Sequence, residues 1–222
     1  MAASDLTSDT VQIDIVSDVV CPWCIVGYRQ LEQALEMTGV TAELRWHPFE
    51  LNPSMPPDGQ NLIEHMAEKY GASAIQSLEN RARLQHLGAD LGIAFNFTDH
   101  SQIVNTFRAH QLLDWAEEHG KQHPLKLALF EAYFSDGLDV SDKGVLTQVA
   151  RSVGLNAADA SEVLTGGAHA QSVRDKQQFW TNRGISGVPA MVFGGKYLLT
   201  GAQGAPTYAD ILRKVQAETA AA

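Results

Sequence analysis

Cysteine is scarce. Cys21 and Cys24 are the only two in 222 residues, which excludes a disulfide-stapled scaffold and a Cys-rich zinc ribbon. Basic residues are outnumbered, 16 Lys and Arg against 26 Asp and Glu, for a formal charge of −10 with His neutral. Such a surface repels a phosphate backbone or an anionic membrane, so neither nucleic acid nor membrane is an expected partner. No apolar run approaches the roughly 18 residues of a spanning helix. Met1 to Thr10 carry neither a basic start nor an apolar stretch, so no export signal is expected and the chain reads as cytoplasmic. Repeats are missing, and the terminal Ala220-Ala221-Ala222 is the one low-complexity tract. What is abundant is apolar side chain, 45% of residues, enough for one good core.

Periodicity orders the chain. Val11 to Val16 alternates and then runs apolar, which predicts a strand. Pro22 to Met37 places Ile25, Tyr28, Leu31 and Leu35 on one helical face, with Gly39 as its stop. Thr41 to His47 alternates again up to Pro48, so the opening is strand, helix, strand, with a parallel pair. After Asn52 the prolines at 53, 56 and 57 mark an exit loop, and only helical periods follow: Gln60 to Tyr70, Ser73 to Asp90, Gln102 to Glu118, Pro124 to Phe134, Lys143 to Val153, Ala158 to Leu164 and Ala168 to Arg183. Strand character returns at Ala190 to Phe193, turns at Gly194-Gly195 and comes back over Lys196 to Thr200. A helix from Pro206 to Ala217 closes the chain. The fold class predicted is α/β, a thioredoxin fold (βαβ…ββα) with a large all-helical insertion. The domains expected are 10–56 with 184–218 as a discontinuous thioredoxin-like unit, and 57–183 as the inserted unit.

The two cysteines sit in Cys21-Pro22-Trp23-Cys24, where the first strand hands over to the first helix. A helix N-terminus carries unsatisfied N–H groups and about half a positive charge, which predicts a stabilised thiolate on Cys21. Pro22 fits the first helical turn, and the spacing brings both sulfurs within reach of each other. Cys21 is therefore the expected nucleophile and Cys24, deeper in the helix, the resolving thiol. The alternatives are a structural disulfide, an inert pair, or half of a zinc site. Zinc needs two more ligands; the eight His show no ligand spacing apart from His119 and His123, so no metal is expected. Haem attachment needs His where Ile25 stands. A second element, Gly187-Val188-Pro189-Ala190, directly precedes a strand. Proline there can hold a cis bond, and Val188 would offer its backbone to an extended substrate; an ordinary trans turn is the alternative. Trp23 reads as an exposed aromatic at the mouth of the site, there to pack on substrate or simply half covered by the insertion.

Ser17-Asp18-Val19-Val20-Cys21-Pro22-Trp23-Cys24, Pro48-Phe49-Glu50-Leu51-Asn52-Pro53, Asn105-Thr106-Phe107-Arg108-Ala109-His110, and Gly187-Val188-Pro189 with Gly201-Ala202-Gln203 together resemble the DsbA-like thioredoxin family. Within it they are most similar to the FrnE-type disulfide oxidoreductases, related to 2-hydroxychromene-2-carboxylate isomerases and kappa-class glutathione transferases. The resemblance spans nearly the whole chain. It implies that Cys21 and Cys24 are the redox pair, that Val188-Pro189 is the cis-proline loop, and that Phe49, Asn52 and Asn105 face the site from the insertion. Asn52 and Asn105 can equally cap helices and turns, and Phe49 also suits the core. The periplasmic oxidase of the family has a His between its cysteines; this chain has Pro22-Trp23, so reduction or isomerisation of disulfides is expected over net oxidation. No bound cofactor is implied, with glutathione the candidate redox partner. Substrates are expected to be thiols or disulfides, of a protein or a small molecule, and a homodimer is a further expectation. Two other functions fit the same fold: a glutathione-dependent isomerase or transferase, against which the second cysteine argues, and a noncatalytic peptide-binding module with a redox switch.

Overall fold

The computed structural model describes residues 10–220. Met1 to Asp9, on which the expectation of no export signal falls, and Ala221-Ala222 lie outside the described residues. Strand β1 (Val11–Ser17), helix α1 (Pro22–Thr38) and strand β2 (Ala42–Pro48) open the chain, with β1 and β2 parallel from Val11↔Ala42 to Ser17↔Pro48. Strands β5 (Ala190–Phe193) and β6 (Tyr197–Thr200) close the four-stranded sheet in the order β2-β1-β5-β6, and helix α9 (Ala205–Ala220) follows. β5 runs antiparallel to both of its neighbours. β1 is an inner strand covered on both faces, so Ile13, Ile15 and Val16 are fully buried. That is why its alternation gives way to an apolar run. Gly194 and Gly195 both take positive φ, 56° and 67°, as a two-residue hairpin turn between right-twisting strands demands.

Between the two sheet halves lie strand β3 (Gln60–Asn61), helices α2 (Leu62–Tyr70) and α3 (Ala74–Asp90), strand β4 (Gln102–Ile103), and helices α4 (Phe107–Glu118), α5 (Gln122–Phe130), α6 (Lys143–Ser152), α7 (Ala157–Gly166) and α8 (Ala170–Thr181). The insertion is helical apart from the β3–β4 pair, Gln60↔Ile103 and Asn61↔Gln102. The sequence reading starts helices at Gln60 and Gln102. The structure starts them later, because Asn61 Oδ1 caps α2 by accepting from Ile63 N at 2.9 Å and Asn105 Oδ1 accepts from Phe107 N at 3.0 Å, which frees the preceding residues to pair as strands. The helix expected to reach Phe134 ends in a wider π turn, Glu131–Ser135. Its carbonyls are taken by the loop after α3: Asn96 N donates to Phe134 O at 2.9 Å and Asn96 Nδ2 to Ser135 O.

Two apolar clusters meet at the segment that carries the cysteines. One joins the sheet, α1 and α9 to Ile93, Phe95, Phe130 and Phe134 of the insertion. The other lies among α4 to α7 and takes in Val19 and Val20. α5 is fixed to the outer strand by a side-chain amide that behaves as backbone would: Gln122 Oε1 accepts from Trp46 N and Gln122 Nε2 donates to Trp46 O, both at 3.0 Å. This satisfies one residue of the edge of β2.

Candidate active site

Cys21 is the N-cap of α1 with Pro22 at its first turn, and Cys24 lies one turn in, with its N–H donating to Cys21 O at 3.0 Å. Both thiols are free. Cys24 is fully buried, and Cys21 keeps 3% of its surface. The residual exposure of Cys21 opens on a cavity of about 460 Å³ lined also by Val20, Pro22, Trp23 and Val188, and on the insertion side by α2, α3, Phe97, Ile103, Tyr133 and Phe134. The Val188–Pro189 bond is cis, and the Val188 carbonyl oxygen stands 3.7 Å from Cys21 Sγ. This loop can lie so close to α1 because Gly27 has no side chain: a Cβ there would come within 3.3 Å of Pro189 Cγ.

The ionisation of the pair departs from the sequence expectation. Cys21 makes no side-chain capping bond, and the one helix N–H that favours its thiolate, that of Cys24, is outweighed. Its S–H donates to Cys24, and that bond, burial and the negative charges of Cys24 and Asp18 push Cys21 well above the ordinary thiol range, opposed by the Cys24 N–H. Burial acts to raise Cys24 too, but the Cys21 S–H, the Lys126 ammonium, the Ser17 hydroxyl and the Asp18 N–H outweigh it and hold Cys24 below that range. The pair thus gives up one proton readily and clings to the second, the two sulfurs holding it between them.

Those supporting groups were not singled out from the sequence. Lys126, on α5, is 1% exposed, with Nζ 4.9 Å from the Phe130 ring centroid and 5.3 Å from that of Trp46. Burial lowers it to about 8, against the attraction of Cys24, Asp18 and Cys21. Its signal was present: Lys126 falls on the same helical face as Leu129 and Phe130, a core position. Asp18 Oδ1 lies 3.3 Å from His110 Nε2, and Asp18 Oδ2 accepts from Leu51 N at 2.8 Å. Burial works to raise Asp18, but the His110 ring, the Leu51 N–H and Lys126 keep it below the usual carboxylate range. His110 Nε2 is also 3.0 Å from Phe49 O.

Of the residues singled out from the sequence, Cys21, Pro22, Trp23, Asn52 and Val188 line the cavity together, and Trp23 is 40% exposed. Asn52 is held from the side, its Oδ1 accepting from Lys69 Nζ at 2.6 Å. Cys24 and Pro189 lie behind this lining. Asn105 is spent on the turn before α4 and on Met55 O, at 3.3 Å. Phe49 packs beside Trp180 and Ile185 on the far face of the sheet. Neither of these two reaches the cavity. Among the described residues no group of His, Cys, Asp and Glu is arranged to hold a metal ion, and no helix is long and apolar enough to cross a membrane.

Comparison with known proteins gives three results. The family described as DSBA-like thioredoxin domain matches residues 12–213. YwbO of Bacillus subtilis (strain 168), described as uncharacterized, is 28% identical over 186 residues, 83% of this chain and 88% of that protein. Among solved structures, a probable DsbA oxidoreductase from Streptomyces coelicolor superposes with a TM-score of 0.88 at 31% identity, covering 94% of this chain and 91% of that one. The cytosolic disulfide reductase DsbM from Pseudomonas aeruginosa, solved with GSH, superposes at 0.62 with 17% identity over 91% of this chain and 98% of that one, a likeness of fold alone.

Proposed function

Since the chain belongs to the DSBA-like thioredoxin domain family, we propose that it is a thiol-disulfide oxidoreductase that reduces or isomerises disulfides through a mixed disulfide on Cys21. One observation carries this reading: the sulfur that opens on the cavity, Cys21, is backed by a second sulfur held below the ordinary thiol range. The proton on Cys21 passes to Cys24, and the Cys21 thiolate so formed attacks a substrate disulfide. One new S–S bond forms on Cys21 and the substrate's departing half leaves as a thiolate. For reduction, Cys24 then loses that proton and attacks Cys21, releasing the second substrate thiol and closing the Cys21–Cys24 disulfide. For isomerisation, a substrate thiol attacks instead and restores Cys21. Two electrons from a thiol donor of the glutathione class reopen the Cys21–Cys24 bond.

Pro22, Trp23 and Val188 would shape the rim against which the substrate lies, with Asn52 at its insertion side and Pro189 behind it. Pro22-Trp23 stand between the cysteines, where the periplasmic oxidase of the family has a His, and this supports a reducing role against a thiol pool that is kept reduced. The same direction is written in the name of the cytosolic disulfide reductase that shares the fold. The test is insulin reduction with dithiothreitol as electron source. Turnover is expected for the native chain and none for Cys21→Ser, while Cys24→Ser accumulates mixed disulfides on Cys21. Glutathione conjugation with an intact Cys21→Ser would replace this reading with the transferase one.

A further inference from the structure

The cavity above Cys21 is apolar almost throughout, with Leu62, Met66, Leu84, Phe97, Ile103 and Phe134 in its wall. Its polar groups are unusual for this protein. In a chain of formal charge −10, the described lining includes Arg81 and Arg83 and no aspartate or glutamate. Arg81 and Ser77 stand one turn apart on α3, 8% and 4% exposed, and both carry buried polar atoms without a partner, Arg81 Nε and Ser77 Oγ. The rest of the guanidinium is held by Thr98 O at 3.0 Å and by Asp99 Oδ1 at 3.3 Å. The Asp99 side chain is 78% exposed, a counter-ion that water already screens. A buried N–H and a buried hydroxyl left unpaired are costly, and an incoming oxygen anion would offset that cost.

We propose that this cavity receives a small substrate with a slender apolar body and a single carboxylate, the body lying along the α2–α3 wall and the carboxylate on Ser77 and Arg81. The inference rests on the oxidoreductase reading only for the chemistry at Cys21, to which the substrate presents its thiol or disulfide sulfur. The volume belongs to small-molecule sites, and the 3% exposure left to Cys21 opens on it. Glutathione, which as electron donor needs to bring only its sulfur to Cys21, is not the body these walls fit, since its charged ends and amides would lose water against leucine, methionine and phenylalanine. An apolar chain gains from that same surface.

The experiment compares octanoate with octanamide, which share a chain and differ in the charge at its end. Titration calorimetry on the full chain is expected to give binding about tenfold tighter for the acid, and bound octanoate is expected to slow iodoacetamide alkylation of Cys21. Arg81→Gln should erase most of the preference for the acid, and Ser77→Ala should reduce it with little effect on folding. Should Arg81→Gln fail to fold, the acid–amide comparison on the native chain and Ser77→Ala still decide the matter. Equal affinity for acid and amide, no binding of either, or binding that leaves Cys21 alkylation unchanged overturns the proposal. Insulin reduction lost while the acid preference persists strikes the redox reading alone.

Discussion

Asp18 and His110 meet with Oδ1 and Nε2 3.3 Å apart, each side chain 1% exposed, so the segment that delivers Cys21 is tied to α4 of the insertion. Asp18 thereby links three neighbours: His110, the N–H of Leu51 and, through charge, Lys126. Removing one member of a buried charged group leaves the others without compensation.

Asp18→Asn is therefore expected to lower stability by about 3 kcal/mol at neutral pH, read from urea unfolding midpoints. The pH dependence follows from the direction of the shift. The folded-state value lies below the unfolded one, which is about 3.9. The unfolded chain thus binds the proton more readily, and the contribution is fully present above about pH 4 and lost as pH falls through the lower folded value. Asp14 and Asp114 are shifted the same way, and their hydrogen bonds to His47 and Lys176 outweigh burial. The native chain should lose stability steeply below pH 4, and Asp18→Asn should lose less. An equal acid slope in both would remove Asp18 from this account.

Gly88 lies inside α3, where alanine is ordinarily preferred by about 1 kcal/mol. Here a Cβ would meet Phe95 Cδ2 at 2.5 Å and Ile93 O at 2.8 Å. The backbone carbonyl cannot rotate aside as a flexible side chain can. Gly88→Ala is expected to destabilise by about 1–2 kcal/mol despite its better propensity, and to shift the wall that carries Ser77 and Arg81. A rise in thermal midpoint would show that α3 moves freely over Phe95.

The place of the cysteine pair at the head of α1, the four-stranded sheet and the flanking helices were legible because each depends on neighbours in sequence: alternation in β1 and β2, a 3.6 period in α1, two glycines in the hairpin. The insertion's helices were legible for the same reason. What stayed hidden depends on distant chain. Lys126 reads as one polar residue on an amphipathic helix until α5 is seated on Trp46. Ser77 and Arg81 read as the solvent face of α3 until α2 and the segment through Phe97 fold beside them. The helix terminus bore on Cys21 alone and could not show that Lys126 and Ser17 gather round Cys24 or that the two sulfurs titrate as a pair. Asn105 shows the converse limit, since a motif residue went to a turn and to Met55 O and not to the cavity.

Lys126→Met offers the sharpest reading of the pair. The substitution keeps the length of the side chain between the Trp46 and Phe130 rings and removes the charge, at a cost in stability comparable to that of Asp18→Asn. The ammonium stabilises the thiolate of the reduced state and does nothing for the neutral disulfide. Its loss should raise the pH midpoint of Cys21 alkylation by about one unit and lower the reduction potential by about 30 mV, the two-electron equivalent of a tenfold change. Lys126 itself is lowered to about 8, against about 10.4 unfolded. Between those values the unfolded chain binds the extra proton, so this group makes native stability rise with pH across that window. Lys126→Met should flatten the rise. An unchanged alkylation midpoint would mean that the buried ammonium serves packing alone and that the charge of the cysteine pair is stabilised from another source.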